Sequence, residues 1–220
     1  MQARINSLFE SIQGEGEYVG KRQIFIRFFG CNLNCVFCDT KLKYYKIYTP
    51  LQVRKKINKF KIKSVSLTGG EPLCQVEFLK DFLPFLKKDD FKLYLETNGT
   101  LYENLKKIIK FIDVISMDLK LESSTGMRKS FWYEHQNFFD IGRKKEIFFK
   151  TVITLSTSFN DIKKLAEFLL DKKKILYLQP DTNVLSKNLI KKCLKIQKYL
   201  NEKNIEARIL PQVHKFLKLR

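Results

Sequence analysis

Apolar strand-like runs alternate with helical segments over most of the chain, and this feature constrains the fold more than any other. "QIFIRFF" (23–29) reads as a strand. Thr49-Pro50 places a capping residue before a proline at the first helical position, and Val53, Ile57 and Phe60 follow at helical spacing. "SVSLT" (64–68) is a strand running into Gly-Gly, and 75–87 has a helical pattern that Pro84 is expected to break or kink. "KLYLE" (92–96), "DVISMDL" (113–119), "IFFKTVIT" (147–154) and "KILYLQ" (174–179) are further strands, and "ARIL" (207–210) is a last short one. Helices are expected over 101–111, from the Ser158/Asp161 cap to about 171, and over 187–203. Such alternation implies βαβ units and a parallel sheet. The number of units predicts an α/β fold, a partial, truncated (β/α)6-type barrel with mostly parallel strands. No linker or repeat divides the chain, so 1–220 reads as a single domain. Residues 121–146 lack a clear period and are expected to form an irregular insertion over the site. Ligands of such folds bind at the carboxyl ends of the strands.

Composition narrows the class. The chain has 220 residues, 44% of them hydrophobic, as in a globular protein. It has no apolar run long enough to cross a bilayer, and "MQARINSLFESIQ" has no secretory pattern, so the expected location is cytoplasmic. Thiols there stay reduced, and a dense cysteine cluster implies metal rather than a disulfide. The net charge of +19 has two readings, a polyanion partner or a bias toward Lys, Ile, Asn and Phe. The lysines spread along helical faces, as in "LIKKCLKIQKYL", which favours the second. The charge would still favour an anionic small molecule in a cleft.

Cys31, Cys35 and Cys38 follow the first of these strands with C-x3-C-x2-C spacing. Three thiolates on a [4Fe-4S] cluster leave one iron open to bind a ligand, whereas four would saturate it. The alternative is zinc with a distant fourth ligand, for which Cys74, Cys193, His135 and His214 are available. Cys193 lies among Leu189, Ile190 and Ile196 and reads as core. In "TGGEP" (68–72), Gly69 and Gly70 let the backbone approach a ligand, or simply make a tight turn. Arg27 shares a strand face with Phe25 and Phe29, where a charge needs a partner. That partner is either a ligand carboxylate or a residue such as Glu96. Thr40 offers a hard oxygen ligand, or Asp39-Thr40 makes a turn.

The cysteine motif, "TGGEP" and "ETNGT" (96–100), in order at strand ends, resemble the radical S-adenosylmethionine superfamily. More narrowly, "SIQGEG" (11–16), Arg27, "CDT" (38–40), "QP" (179–180) and "PQVHK" (211–215) resemble the 7-carboxy-7-deazaguanine synthase family, over about residues 5–216. The resemblance implies a radical SAM barrel with a [4Fe-4S] cluster on Cys31, Cys35 and Cys38. It implies S-adenosylmethionine contacts from Gly70, Glu71, Ser116, Asp118, Lys120 and Gln179, with Asp181 and Thr182 nearby. It implies substrate contacts from Ile12, Gln13, Gly14, Arg27, Thr68 and Arg220, Mg²⁺ at Thr40, and a site wall at His214 and Lys215. The family's Ser-Pro-Lys motif is replaced by "SMDLK", so its lysine role passes to Lys120 or to Asp118, and the terminal proline of relatives is replaced by "KFLKLR". The implied reaction turns 6-carboxy-5,6,7,8-tetrahydropterin into 7-carboxy-7-deazaguanine and ammonia, on the way to queuosine and other 7-deazapurines. The implied partners are an electron donor such as flavodoxin or ferredoxin and a second copy of the chain, with no membrane and no nucleic acid. Two other classes are compatible with part of the pattern. A glycyl-radical-enzyme activase would share the cluster and "TGGEP" but act on a large protein. A zinc-dependent basic RNA-binding module would be colourless and salt-sensitive.

Overall fold

The computed structural model describes residues 1–40 and 42–219. One nine-stranded sheet organises them. Its strands are β1 (Ala3–Ile12), β2 (Arg22–Phe28), β3 (Lys46–Tyr48), β4 (Ser64–Gly69), β5 (Lys92–Thr97), β6 (Val114–Asp118), β7 (Glu146–Ile153), β8 (Leu176–Pro180) and β9 (Ala207–Ile209), in the spatial order β3-β1-β2-β4-β5-β6-β7-β8-β9. From β2 to β9 every neighbour is parallel, and β1 and β3 close one edge as antiparallel strands. The outermost strands β3 and β9 do not pair, so the barrel is open, as the alternation implied.

Helices α1 (Pro50–Ile57), α2 (Val76–Lys88), α3 (Tyr102–Ile108), α5 (Trp132–Gly142), α6 (Phe159–Leu169) and α7 (Lys187–Asn201) cover the outer face, while the short α4 (Glu122–Thr125) and α8 (Val213–Phe216) lie at the strand-end side, against the cysteine loop and the loop after β1. Their starts are set locally. Thr49 makes a reciprocal capping box with Gln52 ahead of Pro50, and Ser158 accepts from the Asp161 N–H at 3.1 Å. In α7, Leu189, Cys193, Ile196 and Leu200 face the core, which leaves the lysines of "LIKKCLKIQKYL" as a solvated outer face. The main core lies between sheet and helices and includes Ile26, Leu67, Phe82, Leu95, Met117, Phe149 and Leu178. A second, smaller core of Tyr18, Tyr94, Val114, Phe148 and Tyr177 fills the barrel interior below the site. Among the described residues no helix is long and apolar enough to cross a membrane.

The structure departs from the sequence reading in three places. β1 and β3 are strands that the alternation does not reveal. A bulge between Ile5 and Ser7 shifts the register of β1, which breaks its period-2 pattern. Pro84 does not end α2, which runs on to Lys88. The carbonyl it leaves without a partner belongs to Lys80, and both residues are exposed, so water can satisfy it. The 121–146 segment carries two helices, α4 and α5, where an irregular insertion was expected, and α5 packs against α3.

Candidate active site

Alternation along the strands builds the site. Residues of one phase point out into the helix-covered core, and residues of the other phase point into the barrel. Near the carboxyl ends the inward phase becomes polar, with Arg27 on β2, Thr68 on β4, Glu96 on β5, Asp118 on β6, Lys150 on β7 and Gln179 on β8. These six line one cavity of about 210 Å³, together with Cys31, Cys35 and Cys38 from the loop after β2.

Close backbone packing fixes the cysteine loop against the "TGGEP" turn. Gly70 donates to the Phe28 carbonyl at 2.9 Å, and Glu71 N–H donates to the Gly30 carbonyl at 2.8 Å. A Cβ on Gly70 would sit 1.9 Å from that carbonyl oxygen, and Gly69 adopts a φ of 122° beside the Phe28 backbone. Both glycines are therefore required by geometry. Cys38 N–H donates to the Cys35 carbonyl at 3.1 Å, which curls the three thiols along the cavity edge. Burial pushes the Cys31 and Cys35 thiols up, so a bound metal has to displace their protons. Among the described residues no three His, Cys, Asp or Glu side chains gather closely enough to hold one metal ion. A cluster makes no such demand, because its cysteine ligands sit on separate irons. The three thiols on a single loop at the cavity edge fit such a cluster. Cys74 is exposed outside the cavity lining, and Cys193 is buried core.

A chain of charges runs around the cavity. Lys150 Nζ pairs with the Glu15 carboxylate and stands 3.9 Å from Asp118 Oδ2, while Lys120 Nζ bonds the same Oδ2 at 2.8 Å. Burial alone would lower Lys150, but Glu15, Asp118 and Glu96 outweigh it and hold the ammonium well above its usual range. Burial alone would raise Glu15, but Lys150 and Gln212 hold its carboxyl below its usual range. Gln212 Nε2 bridges Glu15 Oε1 at 2.7 Å and Asp39 Oδ2 at 2.9 Å. Lys215 Nζ bonds the same Asp39 oxygen at 2.9 Å. Burial works against this charge too, yet Lys215 and Gln212 keep the Asp39 carboxyl far below its ordinary value. Asp118 lines the cavity, and its buried Oδ1 oxygen has no hydrogen-bond partner among the described residues, which leaves an acceptor for a ligand donor.

Most of the expected site residues meet here: Ile12, Gln13, Gly14, Arg27, the three cysteines, Thr40, Thr68, Gly70, Asp118, Lys120, Gln179, Asp181, Thr182 and His214 all line the cavity. Arg220 lies outside the described residues. Two expectations are corrected. Glu71 does not line the cavity, because its side chain turns inward and accepts from Leu73 N at 3.1 Å, Thr97 Oγ1 at 3.0 Å and Asn98 N at 2.7 Å. Ser116 is fully buried on β6 one inward position below Asp118, beneath the cavity floor. Arg27 does not pair with Glu96. Among the described residues it has no carboxylate at ion-pair distance, and its Nη1 lies 3.4 Å from Thr40 Oγ1. Glu96 is held instead by Gln13 Nε2 at 2.9 Å, Ser66 Oγ at 2.7 Å and Thr68 Oγ1 at 2.9 Å.

Sequence reasoning gave no site role to Glu15, Lys150 or Gln212, and treated Glu96 only as a possible partner of Arg27. A lysine inside "IFFKTV" is the same signal as the arginine inside "QIFIRFF". His135, considered as a metal ligand, is fully buried on α5. Its Nε2 accepts from Lys120 N–H at 3.0 Å, so its proton sits on Nδ1 and is donated to the Gly99 carbonyl at 3.1 Å. The ring ties the turn after β5 to the strand end that carries Lys120.

The comparisons with known proteins agree with this geometry. Residues 25–169 match the Radical SAM superfamily. The chain is 32% identical to the 7-carboxy-7-deazaguanine synthase of Geobacter sulfurreducens, over 98% of this chain and 97% of the relative. It is 33% identical to the enzyme of that name from Archaeoglobus fulgidus, over all of both chains. Among solved structures, QueE from Escherichia coli superposes with a TM-score of 0.69 at 23% identity, covering 97% of this chain and 95% of that one, a likeness of fold. The fold and the cysteine-lined cavity are those of a radical S-adenosylmethionine protein. Within that class, the chain belongs to the 7-carboxy-7-deazaguanine synthase family.

Proposed function

We propose that this protein converts 6-carboxy-5,6,7,8-tetrahydropterin to 7-carboxy-7-deazaguanine with release of ammonia, as a radical S-adenosylmethionine lyase of 7-deazapurine biosynthesis. The observation that carries the reading is the cavity at the strand ends. It joins three cysteines to a guanidinium that has no carboxylate partner among the described residues and to a carboxylate held by three donors, in a chain that matches 7-carboxy-7-deazaguanine synthases over nearly its whole length. Arg27 grips the substrate carboxylate with a charge-assisted pair. Gln13, Ser66 and Thr68 fix Glu96 so that it faces the cavity, where it suits the adjacent N–H donors of a 2-aminopyrimidinone ring. Thr40, next to Arg27, offers a hydroxyl to Mg²⁺, which would share the substrate carboxylate. Asp118 and Lys120 receive the polar groups of S-adenosylmethionine, with Gln179 and the Gly70 backbone beside them. The bound cluster and S-adenosylmethionine supply the radical. The chain orients both ligands and keeps water out. A one-electron donor of the flavodoxin or ferredoxin kind and assembly as a homodimer complete the proposal.

The wall formed by residues 212–215 favours a small substrate over a protein partner. Val213 N–H donates to the Gly14 carbonyl at 3.0 Å, so this segment straps the cavity to the loop after β1. The test is anaerobic. Protein reconstituted with iron and sulfide, reduced, and given S-adenosylmethionine and the carboxylated tetrahydropterin should yield 7-carboxy-7-deazaguanine by mass spectrometry. Release of 5′-deoxyadenosine without that product would keep the radical chemistry and reject the substrate. A protein that takes up only zinc would reject both.

A further inference from the structure

Asn98 closes the "ETN" end of β5, is nearly buried and lines the cavity, yet none of the roles above uses it. Every polar atom of its side chain, and its backbone N–H, is engaged. The backbone N–H donates to Glu71 Oε2 at 2.7 Å. Oδ1 accepts from Thr100 N at 3.1 Å and from Thr100 Oγ1 at 2.6 Å. These acceptor contacts fix which end of the amide is nitrogen. Nδ2 therefore points the other way, donating to Asn32 Oδ1 at 2.9 Å and to Cys31 Sγ at 3.8 Å. Asn32 is itself held by Thr100, through Nδ2 to Oγ1 at 2.9 Å. Cys31 Sγ accepts a second N–H from the Leu33 backbone at 3.4 Å. The "ETNGT" turn thus reaches the Cys31 sulfur directly, and the "TGGEP" turn reaches it through its neighbours. The inward-turned Glu71 acts at both ends, because its N–H holds Gly30 beside Cys31 and its carboxylate holds Asn98.

We propose that Asn98 tunes the iron–sulfur cluster, donating an N–H···S hydrogen bond to the Cys31 thiolate, with Glu71 and Thr100 as the positioning residues that lock the amide in that pose. An N–H aimed at a ligand sulfur withdraws electron density and stabilises the reduced, more negative cluster, so it raises the reduction potential. The bond also leaves Asn98 partnered on the cluster side without spending a cysteine. The inference rests on the reading of Cys31, Cys35 and Cys38 as cluster ligands.

The test needs neither substrate nor turnover. Native protein, Asn98→Ala and Thr100→Val are reconstituted, assayed for iron and sulfide, and titrated with dithionite, with the reduced cluster followed by electron paramagnetic resonance. At the potential that half-reduces the native cluster, the ratio of reduced to oxidised cluster in Asn98→Ala should fall about tenfold, or about 59 mV for a one-electron couple. Thr100→Val keeps the amide and the bond from the Thr100 N–H but removes the shorter bond from Oγ1, and should shift the ratio the same way by less. A native midpoint in an Asn98→Ala protein with full iron overturns the proposal. Failure of both variants to take up iron also overturns it, since Asn98 would then serve loop assembly rather than potential. Absence of a cluster from the native protein would instead reject the ligand assignment on which both readings rest.

Discussion

Replacing Lys150 by methionine removes a buried cation and keeps the volume of its stem. The side chains of Lys150 and Glu15 are 11% and 12% exposed, so water screens their attraction poorly. Lys150→Met leaves the Glu15 carboxylate, among the described residues, with the Gln212 amide alone and withdraws the second cation near Asp118. Losing one partner of a buried pair costs about 3–5 kcal/mol, most of it the penalty for the stranded charge. For a chain of this size that is roughly 6–20 °C in Tm, at about 2–4 °C per kcal/mol. The assay is urea unfolding of the metal-free, reduced protein, followed by fluorescence of its single tryptophan, Trp132, which packs on Phe168. Two controls make the origin of the loss visible. Lys150→Met with Glu15→Gln should recover at least half of it, because no charge is then stranded there. Lowering the pH from 8 to 5 should also shrink the loss in the single variant, because Glu15 without its cation has a raised carboxyl that takes up a proton. The native pair behaves differently. Glu15 is held low and contributes fully above about pH 5, while Lys150 is held high and contributes fully below about pH 10, so between those limits the pair adds no slope. A cost below about 1 kcal/mol for Lys150→Met, or a double variant no more stable than the single, would refute the reasoning.

Arg27→Ala should weaken binding of the carboxylated pterin by about 10- to 150-fold, the range of a charge-assisted hydrogen bond. Iron content and uncoupled cleavage of S-adenosylmethionine should stay native, and loss of iron would make Arg27 structural. Gly70→Ala puts a methyl group 1.9 Å from the Gly30 carbonyl oxygen, so the cysteine loop must move, and reconstituted iron content should fall to less than half of native. Burial lowers His135 to about 4, so the stability from its neutral ring is present above pH 6.5 and lost as the pH falls toward 4. That loss is about 3 kcal/mol in total, and urea midpoints at pH 7.5 and 4.5 should differ more in native protein than in His135→Gln.

Much of the site was legible because its chemistry sits in short motifs at strand ends. The cysteine loop, Arg27, Thr68 and Gln179 all fall where the strand pattern and motif order place them. The unread part depends on what lies across the sheet. The sequence of "TGGEP" does not say that Glu71 turns inward, because besides the local Leu73 N–H its donors are Thr97, the last residue of the next strand, and Asn98 just after it. Glu15 and Gln212 meet across 197 positions of sequence, which no window along the chain can register. Lys150 was within reach, since its strand carries Phe148, Lys150 and Val152 on one phase and only a barrel interior with carboxylates can accept that lysine. The antiparallel edge was hidden by the bulge in β1.

The strap between residues 212–215 and the loop after β1 also sets an order of events during synthesis. Gln212 reaches Glu15 across 197 residues. At about 5–20 residues per second, Glu15 leaves the ribosome roughly 10–40 s before its last partner exists. Lys150 comes earlier, at a separation of 135, and can hold the carboxylate while the sheet grows strand by strand. The barrel can therefore form from its first strands onward, but the cavity gains its wall only when the tail arrives. Until then the cysteine loop stands beside an open trough, and cluster insertion into the nascent chain has the freest access.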